Sequence, residues 1–387
     1  MPKKRTSANT QASSSNEALL GAIYRMVTDP NCAVTVAAKE FGVDRARLSR
    51  ALQDWCFPGL RYVLKSDRSE EEIALAQAAC LRFSLPGLFR NPFLGLGLDP
   101  SCPPRIRVIH VDSKAASPDR TYLQRFAQAA APYVSGFLAG AKSVAISWGL
   151  TNACVVEALV AYSQHIRRTR EPKELLLGPI RVVPACAEPP GAPSVDLSAS
   201  SIAWRLHSAL NVEDSSWRSL IAFPAILPPE EHALLAVLRR MPGYREIFGG
   251  ERPLIGQVDA LLTSISTDNR PWHFYGSQEI AEVARLDTTK LCEMAVGDIA
   301  GVLQAQPGRE KRVADVMKCW TGIGSQDLER LSQKGRRREG PGIVVVAAGE
   351  NKAACLERVL KLANILVIDD HLAKALNNRL KGRIGLP

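Results

Sequence analysis

The run Val144-Ala-Ile-Ser-Trp-Gly-Leu-Thr-Asn152 reads as a strand that enters a helix through a glycine. Backbone amides at Gly149, Leu150, Thr151 and Asn152 would then point outward at a helix N-terminus, a ready anion site to which the Thr151 hydroxyl could add a donor. The same joint also serves as an ordinary strand–helix connection. In Ala295-Val-Gly-Asp-Ile-Ala-Gly301 an aspartate stands among glycines, so Asp298 suits either bidentate hydrogen bonding to sugar hydroxyls or a plain turn. A third run, Val344-Val-Val-Ala-Ala-Gly-Glu-Asn-Lys352, ends a strand at a glycine turn and puts Lys352 at the start of the next helix. A lysine there can reach a phosphate as a point charge. A fourth, Ile365-Leu-Val-Ile-Asp-Asp370, is a buried strand closing on a polar edge and reads as structural.

Near the N-terminus, Ala33 to Leu52 has the logic of a helix-turn-helix. Ala37 and Ala38 are small enough for a second helix to approach, Gly42 makes the turn, and Val43 plugs the angle between helices. Leu48, Leu52 and Trp55 give the last helix an inward stripe. Its outer face carries Ala46, Ser49, Arg50 and Gln53, flanked by Arg45 and Arg47, with Thr35 on the preceding helix counted among them. Arg, Ser and Gln on such a helix can read base edges in the major groove while flanking arginines hold phosphates. The plainer alternative is a three-helix bundle with a solvated basic face. The stretch resembles bacterial helix-turn-helix domains, the Psq type in particular.

Composition sets limits on the rest. The chain is 46% hydrophobic and 23% charged, enough apolar residues for two or three domains and close to the globular average. A formal net charge of +10 favours polyanionic partners without choosing between nucleic acid and phosphorylated metabolites. Its basic clusters are short, and Lys334-Gly335-Arg336-Arg337-Arg338 reads as a solvated loop. The nine cysteines form no C-x-x-C pair, which argues against a zinc site or disulfide framework and fits reduced thiols in a cytoplasmic protein. The six histidines show no base or metal spacing, and G-x-S-x-G, H-E-x-x-H and Walker patterns are absent from the sequence. No run approaches the apolar length of a membrane span. The expectation is therefore no catalytic residue, no metal, no cofactor and no membrane partner.

These residues need elements to position them. Residues 1–15 read as a flexible, polar tail. A helical face of Leu19, Leu20, Ile23 and Val27 follows, then helices Thr35–Phe41 and Asp44 to about Trp55, closing a domain at 16–58. The stretch 59–104 is punctuated by prolines and reads as a linker with one helix, Ser69–Phe83, a candidate for oligomerisation. From Arg105 short β-branched runs recur at Ile106–Val111, Ser143–Ser147, Ile180–Val183, Ser219–Phe223, Ala260–Ile265, Gly342–Ala347 and Ile365–Ile368. Between most of them lie helical segments such as Tyr122–Leu138, Asn152–Arg167 and Lys352–Leu362. Alternating strands and helices predict an α/β fold, a doubly wound and mainly parallel sheet covered on both faces, over 105–387.

Taken in order, Val144–Leu159, Ala295–Gly301, Gly342–Leu360 and Ile365–Leu376 resemble the SorC family of sugar-responsive bacterial transcription regulators. The AVGDIAG and AAGENKA runs are its most specific parts. The resemblance implies a helix-turn-helix domain followed by an effector domain similar in fold to sugar-phosphate isomerases and deaminases. It implies that Gly149 and Thr151 hold the effector's phosphate or its equivalent, that Asp298 takes sugar hydroxyls, and that Lys352 reaches the ligand from the opposite lip. Leu150, Asn152 and Cys186 complete the expected effector-binding set. Two departures stand out. Where phosphosugar-binding members carry an arginine and glycines after the third strand, this chain has Cys186, Ala187 and Glu188, and a carboxylate there disfavours a phosphate. Leu150 replaces a second hydroxyl residue found in some members. The expected partners are a double-stranded DNA operator, a small-molecule effector that is a sugar or sugar phosphate, and further copies of the chain as a homodimer or homotetramer. A DNA-binding protein with a ligand-free effector domain, or an isomerase- or deaminase-like enzyme with Asp298 as base, are the alternatives.

Overall fold

The computed structural model of the chain describes residues 18–19, 21–23, 25, 32–53, 70–111, 119–169, 180–188, 195–210, 223–228, 232–267 and 293–384. The expected tail, the Trp55 end of the third helix, Ser69 and all of the Ser219–Phe223 strand but its last residue lie outside these. The chain divides into two compact units, residues 1–94 with 377–387, and residues 95–376.

In the first unit, α1 (Val34–Glu40) and α2 (Arg45–Gln53) form the expected helix pair. The joint between them is set by Gly42, whose φ of +63° only glycine adopts without strain. The Val43 N–H donates to Ala38 O at 2.9 Å and closes the turn. Asp44 then caps α2, its Oδ2 accepting from Arg47 N at 2.9 Å. Ala37, Ala38 and Leu48 are buried, as the inward pattern predicts. Helix α3 (Glu70–Phe89) packs against α2 and runs six residues past the expected stop at Phe83. Pro86 lies inside it and removes a backbone donor, at a cost of about 3 kcal/mol for an interior proline. The helix persists because Leu81, Leu85 and Phe89, at helical spacing, are all almost fully buried.

The second unit is built on a six-stranded, wholly parallel sheet: β1 (Arg105–Ile109), β2 (Ser143–Ile146), β3 (Arg181–Pro184), β4 (Ala260–Thr263), β7 (Gly342–Ala347) and β8 (Ile365–Asp369). Their order is β1-β8-β7-β4-β2-β3. The inner strands are buried at every position, which is why they read as unbroken apolar runs; only the edge strands β1 and β3 start exposed. One face is covered by α4 (Arg120–Leu138), α5 (Leu150–Thr169) and α6 (Ala199–Leu210), packed on Val144, Ile146, Leu262, Val344, Val346 and Val367. Short helices α7 (His232–Leu238), α8 (Tyr244–Phe248) and α9 (Leu254–Gln257) precede β4; α10 (Glu310–Met317), α11 (Ser325–Arg336), α12 (Ala353–Val359) and α13 (Asp370–Arg383) complete the series. Helix α11 packs on β4 and β7.

The AVGDIAG run, read as a hydroxyl-binding aspartate or a plain turn, does hold a turn, and the structure adds the strands on either side: β5 (Ala295–Ile299) and β6 (Val302–Ala305) make a separate antiparallel hairpin. Its two-residue turn puts Ala300 at φ 52° and Gly301 at φ 84°, the paired positive angles of a hairpin turn that follows strand twist. One sequence expectation changes here: the basic cluster at 334–338 is not a solvated loop, since α11 extends through Arg336. Lys334 Nζ meets Asp259 Oδ1 at 2.5 Å, and the Arg336 guanidinium donates to Lys361 O. Only Arg337 and Arg338 of the cluster's arginines are exposed.

Candidate functional site

From β2 the chain moves outward to β3; from β4 it moves the other way, to β7 and β8. Strand direction of travel thus reverses between β2 and β4, and ligands of open parallel sheets bind beyond the carboxyl ends of the strands at such a switch point. Polar groups gather there. The Ser147 and Thr263 hydroxyls, one following β2 and the other ending β4, are hydrogen-bonded at 2.8 Å. Asn152, fully buried in the first turn of α5, donates its amide to Ser147 O at 3.0 Å and Ser147 Oγ at 2.7 Å. Its Oδ1 has no hydrogen-bond partner among the described residues.

The expected anion loop is partly consumed by the protein itself. Gly149 N donates to Leu197 O at 3.0 Å, and the Trp148 N–H is directed at Cys186 Sγ. The α5 ladder begins with Ala153 N to Gly149 O at 3.0 Å, which leaves the amides of Leu150, Thr151 and Asn152 in its first turn. Thr151 is buried and Leu150 half-buried, so Thr151 lines the site from within rather than presenting a free hydroxyl at the surface. Cys186 is buried beside Gly322, and burial pushes its thiol well above the ordinary range.

Asp298, next to last in β5, is almost fully buried. Ser266 Oγ donates to its Oδ2 through a very short bond, and Gly301 N donates to its Oδ1 at 2.9 Å. Burial raises its pKa, and the two donors and the nearby Lys352 ammonium oppose that rise. Lys352 is half-buried in the 3₁₀ turn after β7, where burial lowers its pKa to about 8 against the attraction of Asp369, Cys355 and Asp298. Asp369, read from sequence as structural, closes the cluster. It accepts from Tyr122 Oη at 2.6 Å, Gly349 N at 3.0 Å and Leu372 N at 2.9 Å.

Sequence reasoning missed Tyr122, Ser266, Asp369 and Trp320. The Trp320 ring lies where a Cβ on Gly301 would fall, 2.2 Å away, and borders Gly322 as well, so it walls the hairpin turn that supplies a donor to Asp298. The signal for Trp320 was faint, a lone tryptophan after a short helix. A cavity of about 190 Å³ lies elsewhere, along β3, and its lining (Arg181–Pro184, His207, Glu246, Leu254) shares no residue with this site. Among the described residues, no cluster of three His, Cys, Asp or Glu could hold a metal, and no helix is long and apolar enough to cross a membrane.

In the other unit, Thr35, Arg45, Ala46, Arg47 and Arg50 are exposed and Ser49 is half-buried. Gln53 ends α2, and its side chain lies outside the described residues. Arg50 Nε rests on Ala46 O at 3.3 Å, folded along its own helix.

No protein-family model and no curated protein matches the sequence. The fold, however, is shared with solved regulators. The full-length sorbitol operon regulator SorC from Klebsiella pneumoniae aligns over 92% of this chain and 97% of its own, with a TM-score of 0.54 at 17% identity. A transcriptional regulator from Streptococcus pneumoniae TIGR4 aligns over 77% of this chain and 97% of its own, with a TM-score of 0.53 at 15% identity. The α/β architecture expected from the sequence resemblance is thus the one these proteins have.

Proposed function

We propose that the chain is a cytoplasmic, DNA-binding transcriptional regulator whose operator affinity is controlled by a sugar or sugar-phosphate-like metabolite. What supports this is that Asp298 and Lys352, far apart in sequence, lie within electrostatic reach of each other while Asn152 is buried against Ser147 at the switch point, on a chain that also holds a capped helix pair with an arginine-rich outer helix. Asp298 accepts ligand hydroxyls, Asn152 offers an acceptor, and Lys352 donates. In the first unit Arg50, Ser49 and Gln53 read bases, while Arg45, Arg47 and Thr35 hold backbone phosphates. Binding to paired half-sites calls for a homodimer or homotetramer.

An enzymatic reading has one observation behind it, the Lys352 amine near neutrality beside a carboxylate. Against it, both oxygens of Asp298 are already engaged, which suits holding a hydroxyl rather than carrying a proton. The test is selection of genomic fragments by the purified protein, followed by operator titration with and without sugars. Recovery of a palindrome whose affinity a sugar changes supports the regulator; Lys352→Ala should abolish that response while sparing operator binding. Sequence-indifferent binding with no sugar effect would remove it and bring the enzyme forward.

A further inference from the structure

A second helix N-terminus opens at this edge of the sheet, that of the 12-residue helix α6. It is tied to the first by the bond from Gly149 N to Leu197 O at 3.0 Å. Ser198 caps α6, its Oγ accepting from Ser201 N at 3.0 Å. A helix N-terminus with serine hydroxyls attracts a phosphate or a carboxylate alike. Here the position is filled from within the chain by the Glu188 carboxylate: burial raises its pKa, and hydrogen bonds donated by the Ser200 and Ser198 hydroxyls and the Ser200 N–H oppose that rise. Glu188 is held in place by the backbone, its N–H donating to Phe223 O and its carbonyl accepting from Ala225 N, both at 2.9 Å.

Charge and hydrogen-bond inventory agree with that arrangement. Glu188, Asp298 and Asp369 bring carboxylates to this edge, and Lys352 acts on Asp298 and Asp369. Among the described residues, Asn152 Oδ1 and Glu188 Oε1 are buried oxygens with no donor, as is Asp370 Oδ1 next to Asp369. A phosphate dianion has no proton to give such oxygens and meets a like charge in a partly desolvated setting; a polyol supplies hydroxyl donors and brings no charge.

Resting on the regulatory reading above, we infer that Glu188 is an internal substitute for a ligand's anionic group, and that it makes the site select an uncharged polyhydroxy effector over its phosphorylated form. The residue acts on specificity, through occupation of the α6 terminus and through charge.

The experiment is calorimetry on the full chain with matched pairs, hexoses and hexitols against their 1- and 6-phosphates, with inorganic phosphate as a separate probe. In the wild type the free member of a pair should bind at least 10-fold tighter than its phosphate, and inorganic phosphate alone should not bind. Glu188→Gln keeps the size and the acceptor for Ser198 and Ser200 while removing the charge, and should narrow the ratio about 10-fold. A merely structural role would weaken both members equally and leave the ratio unchanged, which would overturn the inference. A wild type that prefers the phosphate overturns it too, while leaving a sugar-responsive regulator standing. Failure of every pair to bind would remove that regulator reading together with the inference.

Discussion

Lys352 shows how burial and charge compete at one atom. Leaving water disfavours its ammonium, while Asp369, Cys355 and Asp298 favour it, and burial prevails to bring the amine to about 8. The folded amine then loses its proton below the ordinary lysine value, so between about 8 and about 10.4 the unfolded chain holds the extra proton. For this group stability rises with pH across that window. Isotope-labelled methylation of the lysines followed by NMR should show one amine titrating near 8; if all titrate near their usual value, the amine stands in water and the site is more open than described. Lys352 and Asp298 were legible as candidates in the sequence because Asp298 directly follows Gly297 and Lys352 comes three residues after Gly349, each glycine breaking a periodic run. Asp369 and Tyr122 were not, because their 2.6 Å bond joins residues 247 positions apart and strand periodicity says nothing about such a pairing. The backbone amide of Gly149 was misread for a similar reason: its acceptor, Leu197 O, comes from another segment.

At the scale of elements, the strands of the parallel sheet were legible to within two residues where the chain is described, since buried parallel strands leave an unbroken β-branched signature. The failures have physical causes too. Proline propensity argued for ending α3 before Pro86, yet burial of Leu85 and Phe89 outweighs one lost donor. The β5–β6 hairpin was hidden because its turn is Ala300-Gly301 rather than a familiar Asn-Gly pair, and alanine in the left-handed region costs roughly 1–2 kcal/mol. Gly301 has no such latitude for change. A side chain there would combine the same backbone penalty, about 1–2 kcal/mol, with overpacking of Trp320, about 1–3 kcal/mol, so Gly301→Ala should lose about 2–5 kcal/mol. It should also weaken sugar binding, because Gly301 N holds Asp298. Urea denaturation of the variant measures the first effect and calorimetry the second. A variant as stable as the wild type would mean that the indole moves aside freely, and that the hairpin is not what orients Asp298.

For the whole molecule, a net charge of +10 draws the chain to any polyanion, so specific DNA binding has to be separated from attraction alone. Salt does this. Each phosphate neutralised on duplex DNA contributes about 0.9 to the slope of log affinity against log salt, whatever the sequence bound. Arg47 is exposed at the first turn of α2, where its backbone is held by Asp44, a geometry suited to a phosphate contact. Two copies in a dimer should then contribute about 1.8 to the slope, so Arg47→Ala should lower it by that amount while leaving the preferred sequence unchanged. Arg50→Ala should do the reverse, relaxing preference at one base pair of each half-site by about 1–3 kcal/mol if it contacts a guanine, with little change in slope. Fragment selection repeated across salt for the wild type and both variants reads the two effects separately. If the two substitutions prove interchangeable, each shifting the slope and neither the preferred sequence, the basic face of α2 binds DNA by charge alone. A sugar held by Asn152, Asp298 and Lys352 would in that case have no sequence-specific complex to regulate, since an effector acts only through a state it can favour or disfavour.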